Sequence, residues 1–453
     1  MSDPSRFEPG SVGAFRVTDR TFDTESRSIS LGYAFDDGQS FVETVTFETP
    51  PSESIGAVTP GLARALLHLH VAAGTSYYKA AAPPVVMIEG EVLTAGELQF
   101  HQNLYDQGLR EFAVTNGLAV PLRLEVKAQA GLGHPAPPTR VARPGGLLVP
   151  IGGGKDSLVL IEAVKHLQPR LFAVNPHPLV VELAGQIGLP LLVVRRSLSP
   201  RLVALNRAGA LNGHVPITAI ISLIAVVGSF LYGYDTIAMA VERSASEESA
   251  TVDGVPVNHQ YSKSLEFERQ LADLISSTVD PDLRYGSALR PYSELAIARA
   301  FARLTGYHAT FCSCNTVFRQ SAAADDGWCG NCPKCRFVGL MLAPFVEPAA
   351  LTAIFGRDMF TDPGQVPGFA ALISDEDKPF ECVGERRESA AAIWILSDLP
   401  QWKDTAVVTA LRDRARAMVS AAEVGDLLNP QGELAFPDLD VSAGVDRLLT
   451  EVA

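Results

Sequence analysis

The sequence predicts an α/β protein: a parallel-sheet core, an N-terminal α+β domain before it, and a cysteine-rich clip and a helical C-terminal part after it. Three observations predict this. From Leu147 onward, short apolar runs (LLVPI, LFAVN, LLVVRR, TIAMAV) alternate with segments of helical spacing beginning at Ser157, Pro178 and Pro216. That order gives parallel strands joined by right-handed helical crossovers. Before it, polar and apolar residues alternate (FRVTDRTF, SISLGYAF, FVETVTFE) around the turn Asp36-Asp37-Gly38, the pattern of a β-meander. Finally, five of the six cysteines lie between Cys312 and Cys335, the bunching of a metal site and not of a disulfide framework. The expected domains are 1–140, 141–345 with the clip at 312–337, and 346–453.

Taken in order, Pro60 opens a helix (GLARALLHLHVAAG), SYYKAAAP is a loop, and VVMIEG is a short strand. Thr94 caps a longer helix that stops at Gly117. Residues 131–146 crowd prolines and glycines and read as a linker or flap. The stretch LLVPIGGGKDSLVLIEAVK follows as strand, glycine turn and helix. After Val241 comes a long polar loop, ERSASEESATVDGVPVNHQYSKS, where binding groups tend to sit. Helices resume with LEFERQLADLISSTV and SELAIARAFARL, and the chain beyond Pro348 is helical, flanking the site.

The glycine turn carries the chemistry. Gly152, Gly153 and Gly154 let the backbone approach an anion, and the helix start offers N–H groups and the positive end of its dipole. Lys155 is followed by Asp156, so the turn is not the nucleotide loop that ends in Gly-Lys-Ser/Thr. It resembles the pyrophosphate (PP) loop, SGGxDS, of the ATP pyrophosphatases, with Gly152 where that family has serine. The resemblance implies a Rossmann-like core of the adenine-nucleotide α-hydrolase type, with ATP split to AMP and pyrophosphate. Gly152, Gly153, Gly154 and Ser157 would cradle the phosphates, Lys155 would neutralise charge there, and Asp156 would hold Mg2+. In such a sheet, ligands sit at the carboxyl edge, where Asn175, Arg195 and Arg243 would join the turn.

Composition narrows the partners. With 37 basic against 51 acidic residues the net charge is -14, and no basic run exceeds a pair, so a nucleic-acid partner is not expected. The uncharged stretch at 215–234 is long enough to span a bilayer. Its Pro216, its internal Thr218, Ser222 and Ser229, and the absence of a partner span favour a helix buried against the sheet, so no membrane association is expected. The N-terminus MSDPSRFEPG has neither a basic region nor an apolar core, and with the thiols unpaired the expected compartment is the cytoplasm. The oligomeric state is not legible.

Cys329, Cys332 and Cys335 are spaced C-x2-C-x2-C, and Cys314 completes four thiolates for one structural zinc. Cys312 is set aside because it and Cys314, one residue apart, would point away from each other. An iron–sulfur cluster and unmetallated thiols are the alternatives.

GGGKDSLV, LNGHVPITAI with LYGYD, NHQYSKSLEFE, LRPYSELAIAR and WCGNCPKCRF together resemble the UDP-N-acetylmuramoyl-L-alanyl-L-glutamate epimerase family, as do SYYKAAAP and LYDQGLREFAV. The resemblance implies inversion of the terminal L-glutamate of UDP-MurNAc-L-Ala-L-Glu through an acyl-adenylate, using ATP and Mg2+ and releasing AMP and pyrophosphate, in peptidoglycan-precursor synthesis. His214, His259, Tyr261 and Lys263 are the candidate bases, each in a polar loop near the core strands. Cys312 is a further one, as a thiol proton shuttle. Lys79, Arg195, Arg196, Arg243 and Arg290 are the cations, and Tyr261 the aromatic, expected to meet the substrate. A similar late cysteine arrangement in the cyano-deazaguanine synthases keeps an adenylating ligase as the alternative, and an ATP-binding scaffold without turnover as a third reading.

Overall fold

The computed structural model describes residues 7–48, 58–128, 138, 145–248, 250–317, 327–374, 383–431 and 436–451. Most of the Pro/Gly-rich segment expected as a linker or flap lies outside them. Twelve strands are present among the described residues: β1 (Ala14–Asp23), β2 (Ser28–Phe35), β3 (Ser40–Phe47), β4 (Val85–Ile88), β5 (Glu125–Ala128), β6 (Leu147–Pro150), β7 (Arg170–Val174), β8 (Leu191–Ser197), β9 (Thr236–Met239), β10 (Ala250–Val252), β11 (Val255–Val257) and β12 (Arg284–Ser287). Ten form one sheet in the order β12-β9-β6-β7-β8-β3-β2-β1-β4-β5; β10 and β11 form a separate hairpin.

The strands expected from LLVPI, LFAVN, LLVVRR and TIAMAV are β6 to β9, and all are parallel to their neighbours among these four. The meander β1–β2–β3 is antiparallel. Sequence reading missed β5 and the β10–β11 hairpin, and two further features that shape the main sheet. β12, inside LRYGSALRP, adds a fifth parallel strand beside β9. β3 pairs antiparallel with β8, Thr46 opposite Arg195, so the sheet runs unbroken across the boundary expected at 140/141.

Alternate strand residues feed two cores. Leu147, Val149, Leu171, Ala173 and Ala238 enter the core beneath one face, and Leu148, Phe172, Ile237 and Met239 enter the one on the other. Both faces are covered, which explains why β6 to β9 read as nearly continuous apolar runs. The first core is closed by the helices Lys155–Val164, Glu294–Ala302 and Leu439–Thr450. Gly444 is needed there, because a Cβ at that position would sit 2.5 Å from the Ala163 carbonyl oxygen. The other core holds the helix Pro60–Ala73, capped by Thr59, and the helix Ile217–Tyr232, eleven of whose residues are buried. The latter helix occupies the apolar stretch weighed above as a membrane span, and no helix among the described residues is long and apolar enough to cross a membrane. Thr94 forms a full capping box with Glu97, but the helix breaks at Leu109 into Ala95–Gly108 and Arg110–Thr115.

The N-terminal core also encloses histidines. His70 is fully buried, its Nε2 is 2.9 Å from the Gly32 carbonyl oxygen, and its Nδ1 has no hydrogen-bond partner. Burial pushes its pKa down from 6.5 to about 4. The neutral ring's contribution to stability is therefore fully present above the unfolded value of 6.5 and is lost as the pH falls from there to about 4. Wild type is expected to lose about 3 kcal/mol more stability than His70→Gln between about pH 7 and pH 4 in urea titrations. Equal losses in the two proteins would show that His70 is not the acid-sensitive group.

Candidate active site

In the parallel half of the sheet the chain runs from β6 outward through β7 and β8, then returns to lay β9 and β12 on the other side of β6. The crevice at the carboxyl ends of β6 and β9 is thus a topological switch point, the place where open α/β sheets bind ligands. A cavity of about 450 Å³ opens there. Its walls are Gly152, Gly154, Lys155, Asp156 and Ser157 after β6, Asn175 to His177 after β7, and Met239 to Val241 at the end of β9. Lys263, Ser313, Asn315 and Lys334 complete it.

The turn is shaped by its glycines in different ways. At Gly152 a Cβ would meet nothing within 4 Å, so this position faces open space in the cavity. Gly153 has φ +83°, a conformation that disfavours side chains, and its carbonyl accepts from Cys312 N–H at 3.0 Å. Gly154 N-caps the helix Lys155–Val164, whose first turn has no side-chain cap, while Ser157 donates to the Gly154 carbonyl at 2.9 Å. A helix start of this kind attracts an anion.

Charge is concentrated at the bottom of the turn. The Lys155 ammonium, 3 % exposed, contacts the carboxylates of both Asp156 and Glu294. Burial works against its charge, but Asp156 and Glu294 outweigh burial and hold the lysine protonated. Burial, reinforced by the Asp156 charge, pushes Glu294 upward. Glu242 joins them: oxygens of Asp156, Glu242 and Glu294 all lie within 4.8 Å of one another. Three clustered hard oxygen donors, one of them on the cavity wall, fit Mg2+.

The cysteine cluster borders the same cavity. Oriented sulfurs of Cys314, Cys329, Cys332 and Cys335 lie within 4.8 Å of one another, with Cys314–Cys332 at 3.9 Å, Cys329–Cys335 at 3.6 Å and Cys332–Cys335 at 3.5 Å. These separations are too long for disulfides and match the ~3.8 Å expected between sulfurs bonded tetrahedrally to one zinc at ~2.3 Å. Cys332 also caps the helix Pro333–Leu342, which carries Lys334 to the cavity wall. Cys312 lies outside the quartet. It is buried, and burial pushes its thiol up to about 11, which disfavours the thiolate a proton shuttle needs.

Of the residues singled out by sequence, Gly152, Gly154, Lys155, Asp156, Ser157, Asn175 and Lys263 share the cavity, with Gly153 inside the same turn. Asn175 also exchanges two hydrogen bonds with the Arg196 backbone, at 2.8 and 2.9 Å. The expected cations lie elsewhere. Arg195 is half-exposed and pairs with Glu48 at 2.9 Å across β3–β8. Arg196 is buried against Glu43 through two bonds of 2.7 and 3.0 Å. Arg290 is 2 % exposed and ties Glu268 to the backbone carbonyls of Glu242 and Lys263, so it braces the segments that present those two residues. Arg243 is half-buried near Glu388, whose pKa burial raises and the Arg243 charge opposes. Lys79 donates to Asn212 Oδ1 at 2.6 Å and the Gly213 carbonyl at 2.8 Å, and burial lowers its pKa to about 8. Tyr261 is buried and donates to Gln270 at 3.2 Å; burial raises its pKa.

His214 and His259 come together, their ring centroids 4.5 Å apart, around a residue that sequence reading passed over. Glu111 Oε2 lies 2.6 Å from His259 Nδ1 and 3.7 Å from His214 Nδ1. Glu242, Glu294 and Lys334 were missed as well. Glu294 and Lys334 sit inside the motifs SELAIAR and NCPKC, but nothing in their spacing separates a site residue from a cap or a solvated charge.

Fold and cavity define an α/β protein with a glycine turn at a sheet switch point, near a carboxylate trio and a four-cysteine cluster. Residues 6–288 match the MurL N-terminal domain and residues 310–425 the MurL C-terminal domain. The chain belongs to the MurL epimerase family, and it is an enzyme of that class. The proteins of Xanthomonas oryzae pv. oryzae (43 % identical, covering 89 % of this chain and 90 % of the relative) and Salinispora tropica (42 %, 89 % and 89 %) are both named UDP-N-acetyl-alpha-D-muramoyl-L-alanyl-L-glutamate epimerase. A Micromonospora protein of the same name is 39 % identical, covering 94 % of this chain and 96 % of the relative. No solved structure is significantly similar to the chain.

Proposed function

We propose that this protein inverts the terminal L-glutamate of UDP-MurNAc-L-Ala-L-Glu to D-glutamate in peptidoglycan-precursor synthesis, using Mg2+ and consuming ATP, with release of AMP and pyrophosphate. The observation that carries the ATP part is the uncapped glycine turn at the β6 switch point, facing a cavity beside three clustered carboxylates. The substrate follows from family membership and from the names of the three relatives.

An epimerase has a physical reason to contain such a turn. The proton next to a free carboxylate is barely acidic, because removing it places a second negative charge on the same group. Joining the carboxylate to AMP removes its charge and leaves a carbonyl that delocalises the carbanion; once the α-proton has returned on the other face, water hydrolyses the mixed anhydride and frees the epimerised carboxylate and AMP. The backbone of Gly152 to Gly154 and the start of the helix Lys155–Val164 receive the departing pyrophosphate, while Lys155 balances the carboxylates beneath. Asp156, Glu242 and Glu294 would hold Mg2+, which when bound offsets phosphate charge as the bond to the leaving group breaks. Cys314, Cys329, Cys332 and Cys335 would hold a structural zinc that fixes Ser313, Asn315 and Lys334 on the cavity wall.

The test is incubation with ATP, Mg2+ and UDP-MurNAc-L-Ala-L-Glu, followed by hydrolysis and chiral analysis of the glutamate. D-Glutamate with equimolar AMP and pyrophosphate is expected. Unchanged handedness, or ADP and orthophosphate as products, would defeat the proposal; ammonia-dependent AMP formation on a carboxylated base would move the protein to the ligase reading.

A further inference from the structure

We propose that His259, oriented by Glu111, is the base that takes the α-proton from the activated glutamyl residue; this rests on the function proposed above. Three separate elements bring together the pair and its neighbour His214. Glu111 lies on the helix Arg110–Thr115, His214 on the loop before the helix Ile217–Tyr232, and His259 on the polar loop after β11. The side chains of Glu111 and His259 are only 12 % and 10 % exposed, so the bond between them is shielded from water.

The short contact fits an acid–base pair, in a group whose three side chains also offer ligand atoms within 4.8 Å of one another. Glu111 Oε2 and His259 Nδ1 are 2.6 Å apart, the length of a charge-assisted hydrogen bond. Two ligands bonded to one tetrahedral ion at ~2.0–2.1 Å would stand ~3.3 Å apart. A hydrogen bond from Nδ1–H to the carboxylate places the basic lone pair on Nε2 and keeps the ring's orientation. His214 does not compete for the carboxylate charge, because burial, helped by His259, lowers its pKa to about 4 and leaves it neutral.

Neither Glu111 nor His259 lines the cavity itself, but residues near them and near His214 in the chain do. Lys263 lines the cavity wall and donates to Gln260, the residue next to His259, at 3.1 Å. Thr218, also on the wall, lies in the first turn of the helix that begins just after His214. The other base candidates are weaker on geometry: Tyr261 is buried and bonded to Gln270, and Cys312 is buried against the turn.

In the step, the Cα–H electron pair moves into the acyl carbonyl as an enolate, the proton goes to His259 Nε2, and Glu111 neutralises the imidazolium. Collapse of the enolate takes a proton from water on the opposite face, and His259 returns its proton to solvent. One solvent hydron is therefore fixed at Cα per inversion.

The experiment is run in D2O with ATP, Mg2+ and UDP-MurNAc-L-Ala-L-Glu, reading deuterium at Cα and first-turnover pyrophosphate separately. In His259→Gln, deuterium incorporation is expected to fall about 10³-fold while first-turnover pyrophosphate stays within about threefold of wild type. Glu111→Gln is expected to lower kcat for incorporation about 10²-fold at unchanged KM, with partial recovery in Glu111→Asp. Retained incorporation in His259→Gln overturns the inference. Loss of pyrophosphate release along with incorporation in both variants also overturns it, since the pair would then serve activation. Wild type that releases no pyrophosphate defeats the proposed function itself, a result readily told apart from either.

Discussion

Asp156→Asn is expected to lower substrate-dependent pyrophosphate release by about 10³-fold or more while the melting temperature changes little. Asparagine has nearly the same shape, so the helix start and the glycine turn survive the change. What disappears is one of three carboxyl groups whose oxygens lie within 4.8 Å of one another, and one of the two that contact the Lys155 ammonium. A divalent cation loses a hard ligand, and the lysine charge tilts toward Glu294. Glu294→Gln removes the partner on the other side and is expected to cost about 10²-fold by the same reasoning. Release measured by a coupled pyrophosphate assay decides it: a rate within a few-fold of wild type in Asp156→Asn would remove this residue from the chemistry and undo the assignment of the turn.

Metal removal should have the second largest effect. Wild type is expected to contain one equivalent of zinc by elemental analysis, and Cys332→Ser none. Metal binding by four thiolates contributes on the order of 10 kcal/mol in small zinc domains; in this chain that energy would hold one segment against an already folded sheet. Loss of the ion is therefore expected to open the segment around residues 327–342 without unfolding β6 to β9. Because Ser313, Asn315 and Lys334 line the cavity, pyrophosphate release should drop by about 10²-fold at the same time. Hydrogen exchange before and after chelation would report both parts. Protection unchanged at 327–342, or protein as isolated with neither zinc nor visible absorbance, would exclude a metal clip.

Much of the architecture was legible because its signals are local. β6, the glycine turn and the following helix occupy one short stretch, and each obeys rules that act over a few residues: apolar runs for buried strands, glycine for φ of +83°, uncapped N–H groups at a helix start. The four cysteines are nearly as close in sequence. The arginines show the opposite case. A guanidinium has the same letter whether it meets a phosphate or a glutamate, and burial made Arg196 and Arg290 partners of Glu43 and Glu268.

By itself, then, the sequence determined the parallel core, the glycine turn after β6, the cysteine quartet and the family, since periodicity, turn residues and cysteine spacing are carried by neighbouring residues. Only the tertiary structure decided which distant groups complete the site. Glu294 reaches Lys155 across 139 positions, Glu111 reaches His259 across 148, and β3 joins β8 to fuse the N-terminal meander to the core. The reason is physical: such pairings are settled by how sheets and helices pack, and no short-range pattern records where a side chain will meet its partner.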